Sequence, residues 1–382
     1  MKIENAVVKR FQFYAPTKIV SGPGALKAVG RELSLAGKSR PLVVVDRGLA
    51  KTESAAQLRQ VLKNRSAAVF DRVAPESGIE LVESAAKLFR DFGADSIVSL
   101  GGGSTIDTAK AVQGMILTGA QTIDEFKPGT WKNPLPFHIA IPTTAGTGSE
   151  VTSMAMILDP KLKIKRVLLD PAFIPVAAIL DPELTLGLPR ELTAASGADA
   201  FAHAVEAVLS LASGPLPDII AGQALKLLFE NVPKAVKNGS DISARSNNLI
   251  AATLAGMAFQ NALLGVVHAL AHSLGAKFGI SHGLAVALCL PAGMEYNLPT
   301  SEDRIMQIGS EILPRASSGQ EVVAGIRDWL SGIGLSQRLS ELGIKREKLK
   351  DCAELAMTEP NIYTNPRKPA AGELLELLEK IY

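Results

Sequence analysis

Hydrophobic positions follow two regimes along the chain. In the first half, short apolar runs alternate with longer stretches of mixed character. Residues 41–45, Pro-Leu-Val-Val-Val, form a β-branched run that stops at Asp46, and residues 67–70, 96–100 and 137–141 repeat the type. Between them, residues 51–62, 81–89 and 105–117 read as helices. Short buried strands alternating with helices imply parallel βαβ units. Beyond about residue 181 the strand signature fades, and alanine- and leucine-rich stretches at 191–211, 218–232, 244–278 (with breaks) and 283–294 predict helices. Amphipathic helices continue through 301–382, and Pro182 and Pro189 bracket the change of regime. The expected architecture is an α/β, Rossmann-like nucleotide-binding domain at 1–184 followed by an all-α domain at 185–382, without internal repeats. Ligands of such open sheets bind beyond the carboxyl ends of the strands, so a cleft between the domains is the expected active site.

Composition narrows the function classes. A chain of 382 residues, 47% hydrophobic, is long enough for two cores. Forty basic and 38 acidic residues leave a formal charge of +2 with no block of one sign, whereas nucleic-acid or membrane-surface partners would call for a basic stripe. Aromatics at 5% leave few platforms for stacked bases. From 246 to 294 the only charged side chain is Lys277, a length that would permit a membrane span. Gln260, Asn261, His268, His272 and His282 interrupt it, and polar groups are costly in lipid, so the stretch reads as buried helices of a soluble domain. Two cysteines, Cys289 and Cys352, build neither a disulfide framework nor a four-cysteine zinc site. The opening Met-Lys-Ile-Glu-Asn-Ala-Val-Val-Lys-Arg carries no apolar signal core. A cytoplasmic protein is expected.

Three segments suit a nucleotide. At 101–107, Gly-Gly-Gly-Ser-Thr-Ile-Asp lies between a strand and a helix. Glycine allows close approach of the backbone, and the helix start attracts an anion. Ile106 stands where a full dinucleotide fingerprint has its third glycine, so a plain strand-to-helix turn fits equally well. Residues 142–150 place four hydroxyls and two glycines after another strand. Asp46, at the end of its strand, can accept from the adenosine ribose of NAD and repel the extra phosphate of NADP, or can serve as a helix cap or surface acid.

The sharper signal lies in the helical half. Four of five histidines fall between 203 and 282. Asp199 and His203 sit one helical turn apart, as do His268 and His272, and His282 follows after nine more residues. Each buried polar group needs a partner, and one divalent cation would satisfy several. Three imidazoles and a carboxylate suit Zn, Fe(II), Co or Mn, and the pattern does not choose among them.

At these residues the chain resembles the iron-containing (group III) alcohol dehydrogenase family, close to its lactaldehyde reductase and 1,3-propanediol dehydrogenase branch. The strongest blocks are 101–110, 142–152, 181–206 and 268–291, and the likeness runs from 16–26 to the closing Thr364-Asn365-Pro366-Arg367. The resemblance implies a dehydroquinate synthase-like fold and a cation, iron(II) before zinc, held by Asp199, His203, His268 and His282. It implies NAD contacts at Asp46, Gly102, Gly103, Ser104, Asp107, Thr143, Thr144, Thr147 and Lys165. His272 is placed near the cation without ligating it, Phe259 and Met154 at the substrate pocket, and the assembly as a homodimer or larger. Two positions depart from the pattern. Pro75-Glu76-Ser77 replaces the Pro-Asn-Pro of many members on the adenine side, and Met154 replaces an asparagine of the lactaldehyde branch, so that branch's substrate does not carry over. Retention of all four metal positions sets the chain apart from the maleylacetate reductase branch.

The expected reaction passes hydride between a small alcohol or aldehyde and NAD(H), with the cation polarising the oxygen and His272 handling the proton. A glycerol dehydrogenase-like polyol oxidoreductase is the alternative, and a non-catalytic NAD-binding regulator a remote one. A sugar-phosphate substrate would require further Arg or Lys in the helical half, where 246–294 offers only Lys277.

Overall fold

The computed structural model describes residues 11–74, 77–162 and 164–382. The N-terminal decapeptide and the departure at Pro75 and Glu76 lie outside the described residues. Two compact units are present, one of residues 15–187, the other of residues 188–382 with 11–14. The division falls three residues past the 184/185 boundary read from the sequence. The cause is Asp181, whose carboxylate accepts from the N–H groups of Glu183, Gly24 and Leu26 and so fastens the turn Pro182–Thr185 to the first unit.

The first unit contains β1 (Lys18–Ser21), α1 (Ala28–Leu35), β2 (Pro41–Asp46), α2 (Glu53–Val61), β3 (Ala68–Val73), α3 (Ile79–Phe92), β4 (Ser96–Gly101), α4 (Gly103–Thr118), β5 (Phe137–Pro142), the antiparallel hairpin β6 (Met154–Asp159) and β7 (Ile164–Leu169), and β8 (Ala177–Leu180). Six strands form a parallel sheet in the order β1-β8-β5-β4-β2-β3. In β2 the side chains alternate between two cores. Leu42 and Val44 pack with Val82 and Phe89 of α3 and Val112 and Met115 of α4. Val43 and Val45 pack with Val29 and Leu33 of α1 and Leu58 of α2. Burial on both faces explains why the run is apolar throughout rather than alternating. The chain moves from β2 to β3 on one side and to β4, β5 and β8 on the other, so the order reverses between β2 and β4. That reversal opens a crevice at the carboxyl ends of those strands, where Asp46 and Gly101 stand.

The second unit is helical: α5 (Arg190–Leu209), α6 (Pro215–Lys237), α7 (Ile242–Ala262), α8 (Val266–Phe278), α9 (His282–Ile312), α10 (Gly319–Gly332), α11 (Leu349–Ala356) and α12 (Ala371–Lys380). Small side chains, Ala198, Ala200, Ala202 and Ala204 among them, let α5 sit at the centre against α6, α7 and α9. Phe201 anchors it on an aromatic cluster with Phe229 and Trp329. The stretch 244–278 breaks at Leu263, which adopts φ 62°, and α7 and α8 meet at 105°. Among the described residues no single helix is long and apolar enough to cross a membrane. The bent α7–α8 pair would pass by length and composition, but most of its apolar side chains are buried within the unit.

Candidate metal and nucleotide sites

Three helices converge on one point in the helical unit. Asp199 and His203, four residues apart, share a face of α5, opposite the one that carries Phe201. His268 lies in the first turn of α8. Gly279, at φ 69°, ends α8 and turns the chain so that His282 opens α9. One nitrogen or oxygen from each of Asp199, His203, His268 and His282 lies within 4.8 Å of all the others. The Nε2 atoms of His203, His268 and His282 stand 3.7, 3.5 and 3.3 Å from Asp199 Oδ1.

The donor set fits a divalent cation. Asp199 Oδ1 and His268 Nε2 are buried and make no hydrogen bond, a costly state that a shared cation removes. Although burial works the other way, the charges of His203 and His282 hold the Asp199 carboxyl well below the usual range, so it stays an anion. Phe259, 4% exposed, stacks on His203 with ring centres 4.3 Å apart, giving the cluster an apolar wall. His203 and His268 stack at 4.5 Å.

In the α/β unit, the two glycine-bearing segments interlock. A Cβ on Gly102 would lie 3.2 Å from Thr144 Oγ1, and one on Gly103 would lie 2.7 Å from Thr147 Cγ2. Thr143 N–H donates to Gly101 O at 3.1 Å. Gly102, Gly103 and Ser104, at the start of α4, and Thr144 and Thr147 are all partly exposed. Asp46 accepts from Gly48 N–H at 2.7 Å through Oδ1, a local turn. Asp107 is engaged by the protein itself. Its Oδ1 accepts from Ser149 O–H at 2.5 Å and its Oδ2 from Met156 N–H at 3.0 Å. Burial pushes this carboxyl up against the opposing pull of Lys110, these hydrogen bonds and the charge of Lys165 on β7.

A family model described as "Iron-containing alcohol dehydrogenase" matches residues 16–182, and one described as "Fe-containing alcohol dehydrogenase family, C-terminal" matches 193–382. The chain belongs to the iron-containing alcohol dehydrogenase family. It is 36% identical to a 1,3-propanediol dehydrogenase of Citrobacter freundii, over 98% of this chain and 99% of that one. It is 32% identical to an NAD-dependent methanol dehydrogenase of Bacillus methanolicus, over 96% and 98%. A solved structure of sulfoacetaldehyde reductase from Bifidobacterium kashiwanohense in complex with NAD+ superposes with a TM-score of 0.90 at 28% identity, over 98% of this chain and 99% of that one. The protein is therefore an oxidoreductase of the alcohol dehydrogenase class.

Two carboxylates of this dehydrogenase escaped the sequence reading. Glu206 faces His268 Nδ1 at 2.5 Å, and Glu359 accepts from His272 Nδ1 at 2.9 Å. Glu206 carried a usable signal, since it lies three residues after His203 and seven after Asp199 on one helix face. Glu359 carried none, being 87 residues from its partner. His272 is not one of the four residues whose donor atoms gather, although its ring lies beside them, its centre 5.3 Å from that of His282 and 6.1 Å from that of His268. Burial, the largest cause, lowers its pKa, and the nearby His282 and His268 add to this while Glu359 opposes it. A third omission is Lys110. This fully buried lysine donates to Thr152 Oγ1 at 3.0 Å and to the carbonyl of Met154 at 2.9 Å. Burial pushes it down to about 8 against the pull of Asp107 and Glu150. Met154 thus opens β6 with its backbone tied to α4.

Proposed function

We propose that this chain is an NAD(H)- and divalent-metal-dependent dehydrogenase that interconverts small alcohols and their aldehydes. The convergence of Asp199, His203, His268 and His282, with two buried polar atoms lacking partners, carries the reading. When bound, the cation supplies Lewis-acid polarisation of a substrate oxygen and NAD supplies the hydride acceptor. Asp199, His203, His268 and His282 hold the cation, iron(II) first and zinc second, in keeping with the family. Asp46, Gly102, Gly103, Ser104, Thr143, Thr144, Thr147 and Lys165 are assigned to the NAD site, with Asp107 behind them. The strand reversal beside Asp46 and Gly101 supports that assignment. Because both Asp107 oxygens bond Ser149 and Met156, we give Asp107 the task of holding the 143–149 loop.

We assign Phe259 to the substrate pocket by its stacking on His203, and Met154 by the resemblance of its segment. His272 is assigned a place beside the cation, supported by its absence from the four-ligand group and by its bond to Glu359. An uncharged substrate is favoured. Residues 246–294, which carry His268, His272 and His282, hold only one cationic side chain, Lys277, to meet an anionic substrate. The two buried free thiols, Cys289 and Cys352, suit the reducing cytoplasm. Assembly as a homodimer or larger is expected from the resemblance and is read by light scattering. The deciding experiment is metal analysis of anaerobically purified protein with an NAD-linked panel of short alcohols, diols and aldehydes. One divalent ion per chain and turnover of uncharged members support the reading. Full activity in verified metal-free protein, or activity confined to phosphorylated substrates, sinks it.

A further inference from the structure

Glu206 is a buried carboxylate, 3% exposed, on the face of α5 that carries Asp199 and His203. Its Oε1 accepts from Val267 N–H at 2.8 Å. Its Oε2 accepts from His268 N–H at 3.3 Å and faces His268 Nδ1 at 2.5 Å. The two N–H groups belong to the first turn of α8, which has no earlier turn to receive them and no cap from the side chain of its own N-cap residue, Gly265. The neighbouring Val266 N–H donates to Asn365 Oδ1 at 3.1 Å. Glu206 therefore caps α8 with both oxygens and, through Oε2, grips the imidazole that α8 presents.

A carboxylate only accepts, so the imidazole nitrogen facing it carries the hydrogen. In a neutral ring the lone pair is then on Nε2. That atom is buried, makes no hydrogen bond, and lies 3.5 Å from Asp199 Oδ1. Two lone pairs facing each other in a dry site call for a positive charge between them, a metal ion or a proton on Nε2.

We propose that Glu206 is a positioning residue that fixes the hydrogen of His268 on Nδ1 and thereby aims the Nε2 lone pair at the metal position. The inference rests on the metal-site reading above. Glu206→Gln tests it with nearly unchanged shape. If the glutamine oxygen keeps Val267 N–H, its NH2 group faces Nδ1 and drives the ring hydrogen to Nε2. If the amide flips, the NH2 group opposes Val267 N–H. Zn2+ affinity, measured by competition with a chromophoric chelator, should weaken about 10–100-fold in Glu206→Gln and less in Glu206→Asp, which remains an acceptor at both oxygens. The far-UV spectrum of the metal-free variants should match wild type. Equal Zn2+ affinity in wild type and Glu206→Gln overturns the inference and leaves the metal site intact. A wild type that binds no Zn2+ removes both. Independently of any variant folding, nitrogen-15 spectra of Zn2+-loaded wild type should show His268 with its hydrogen on Nδ1, and a hydrogen on Nε2 overturns the assignment.

Discussion

Thr147 occupies the space that a side chain on Gly103 would need, its Cγ2 2.7 Å and its Oγ1 3.1 Å from where a Cβ would stand. The segments after β4 and β5 are therefore one structure, and the glycines are there for the threonines as well as for any ligand. Overpacking of this kind costs about 1–3 kcal/mol, or about 5- to 150-fold if spent on ligand affinity. Gly103→Ala should raise the Kd for NADH by that order, read by nicotinamide fluorescence. Adding Thr147→Ala, which removes the two nearest atoms, should recover part of the loss. Unchanged NADH affinity in Gly103→Ala would show that the interlocked loops do not hold the cofactor.

Asp46 is expected to choose NAD over NADP. Two unit charges ~5 Å apart at an effective dielectric of ~20 repel by about 3 kcal/mol. Asp46→Asn keeps an acceptor for Gly48 N–H and removes the charge. It should shift the ratio of kcat/KM for NADP over NAD upward by about 10–100-fold. A ratio that does not move, or a wild type that already prefers NADP, takes the selector role away from Asp46.

Removing the metal should remove the activity. Dialysis against a strong chelator is expected to abolish NAD-linked turnover, and Fe(II), Zn2+ or Co2+ to restore part of it. His268→Ala and Asp199→Asn should each leave less than stoichiometric metal after purification, read by elemental analysis. Stoichiometric metal in both variants would place the ion elsewhere.

His272 and Glu359 form a pair beside the cluster, 2.9 Å apart. His272→Ala should retain the metal yet lower kcat about 100-fold or more, the usual scale for a lost group at the reacting centre. Glu359→Gln, which leaves the imidazole in place, should lower kcat less. Loss of metal in His272→Ala would make it a ligand, and unchanged kcat would leave it a packing residue.

His138 supplies an acid-stability signal in the α/β unit. Its ring is fully buried, with Nδ1 donating to Gln113 Oε1 at 3.1 Å and Nε2 2.9 Å from Ser99 Oγ. Burial, aided by the charge of Lys110, pushes it down to about 3. The folded ring stays neutral while the unfolded one takes a proton below about 6.5. The unfolded state then binds more protons between these values. The contribution of His138 is complete above pH 6.5 and is lost as pH falls towards 3, at up to about 1.4 kcal/mol per pH unit. In urea titrations of metal-free protein, the gap between wild type and His138→Gln should close across that window. Parallel pH dependences would show that His138 does not titrate this way.

Much of the fold was legible because its signals are local. The runs at 41–45, 96–100 and 137–141 coincide with β2, β4 and β5, strands buried on both faces and therefore largely apolar, and the run at 67–70 catches the start of the edge strand β3, whose Val69, Asp71 and Arg72 are exposed. β1 and β8, four residues each, and the β6–β7 hairpin were missed. A four-residue strand pairs with a partner far along the chain, here Lys18 with Ala177, and its own composition does not record that pairing.

The sequence by itself determined the family, the two-unit order and the set of histidines and carboxylate that stand in apolar surroundings. Spacing along a helix is a local property, and it put Asp199 with His203 and His268 with His272. Spacing alone left His268 and His272 equivalent and only the resemblance told them apart; the tertiary structure gathers a donor atom of His268 with those of Asp199, His203 and His282 and leaves His272 out of that group. It also showed that Glu206 faces one ring and Glu359 the other, and that Asp107 spends its carboxylate on Ser149 and Met156. The reason is physical. Periodicity records which side of an element is buried, whereas the hydrogen bond that orients a buried ring comes from whichever element packs against it, and that packing follows from the turns at 263–265 and 279–281.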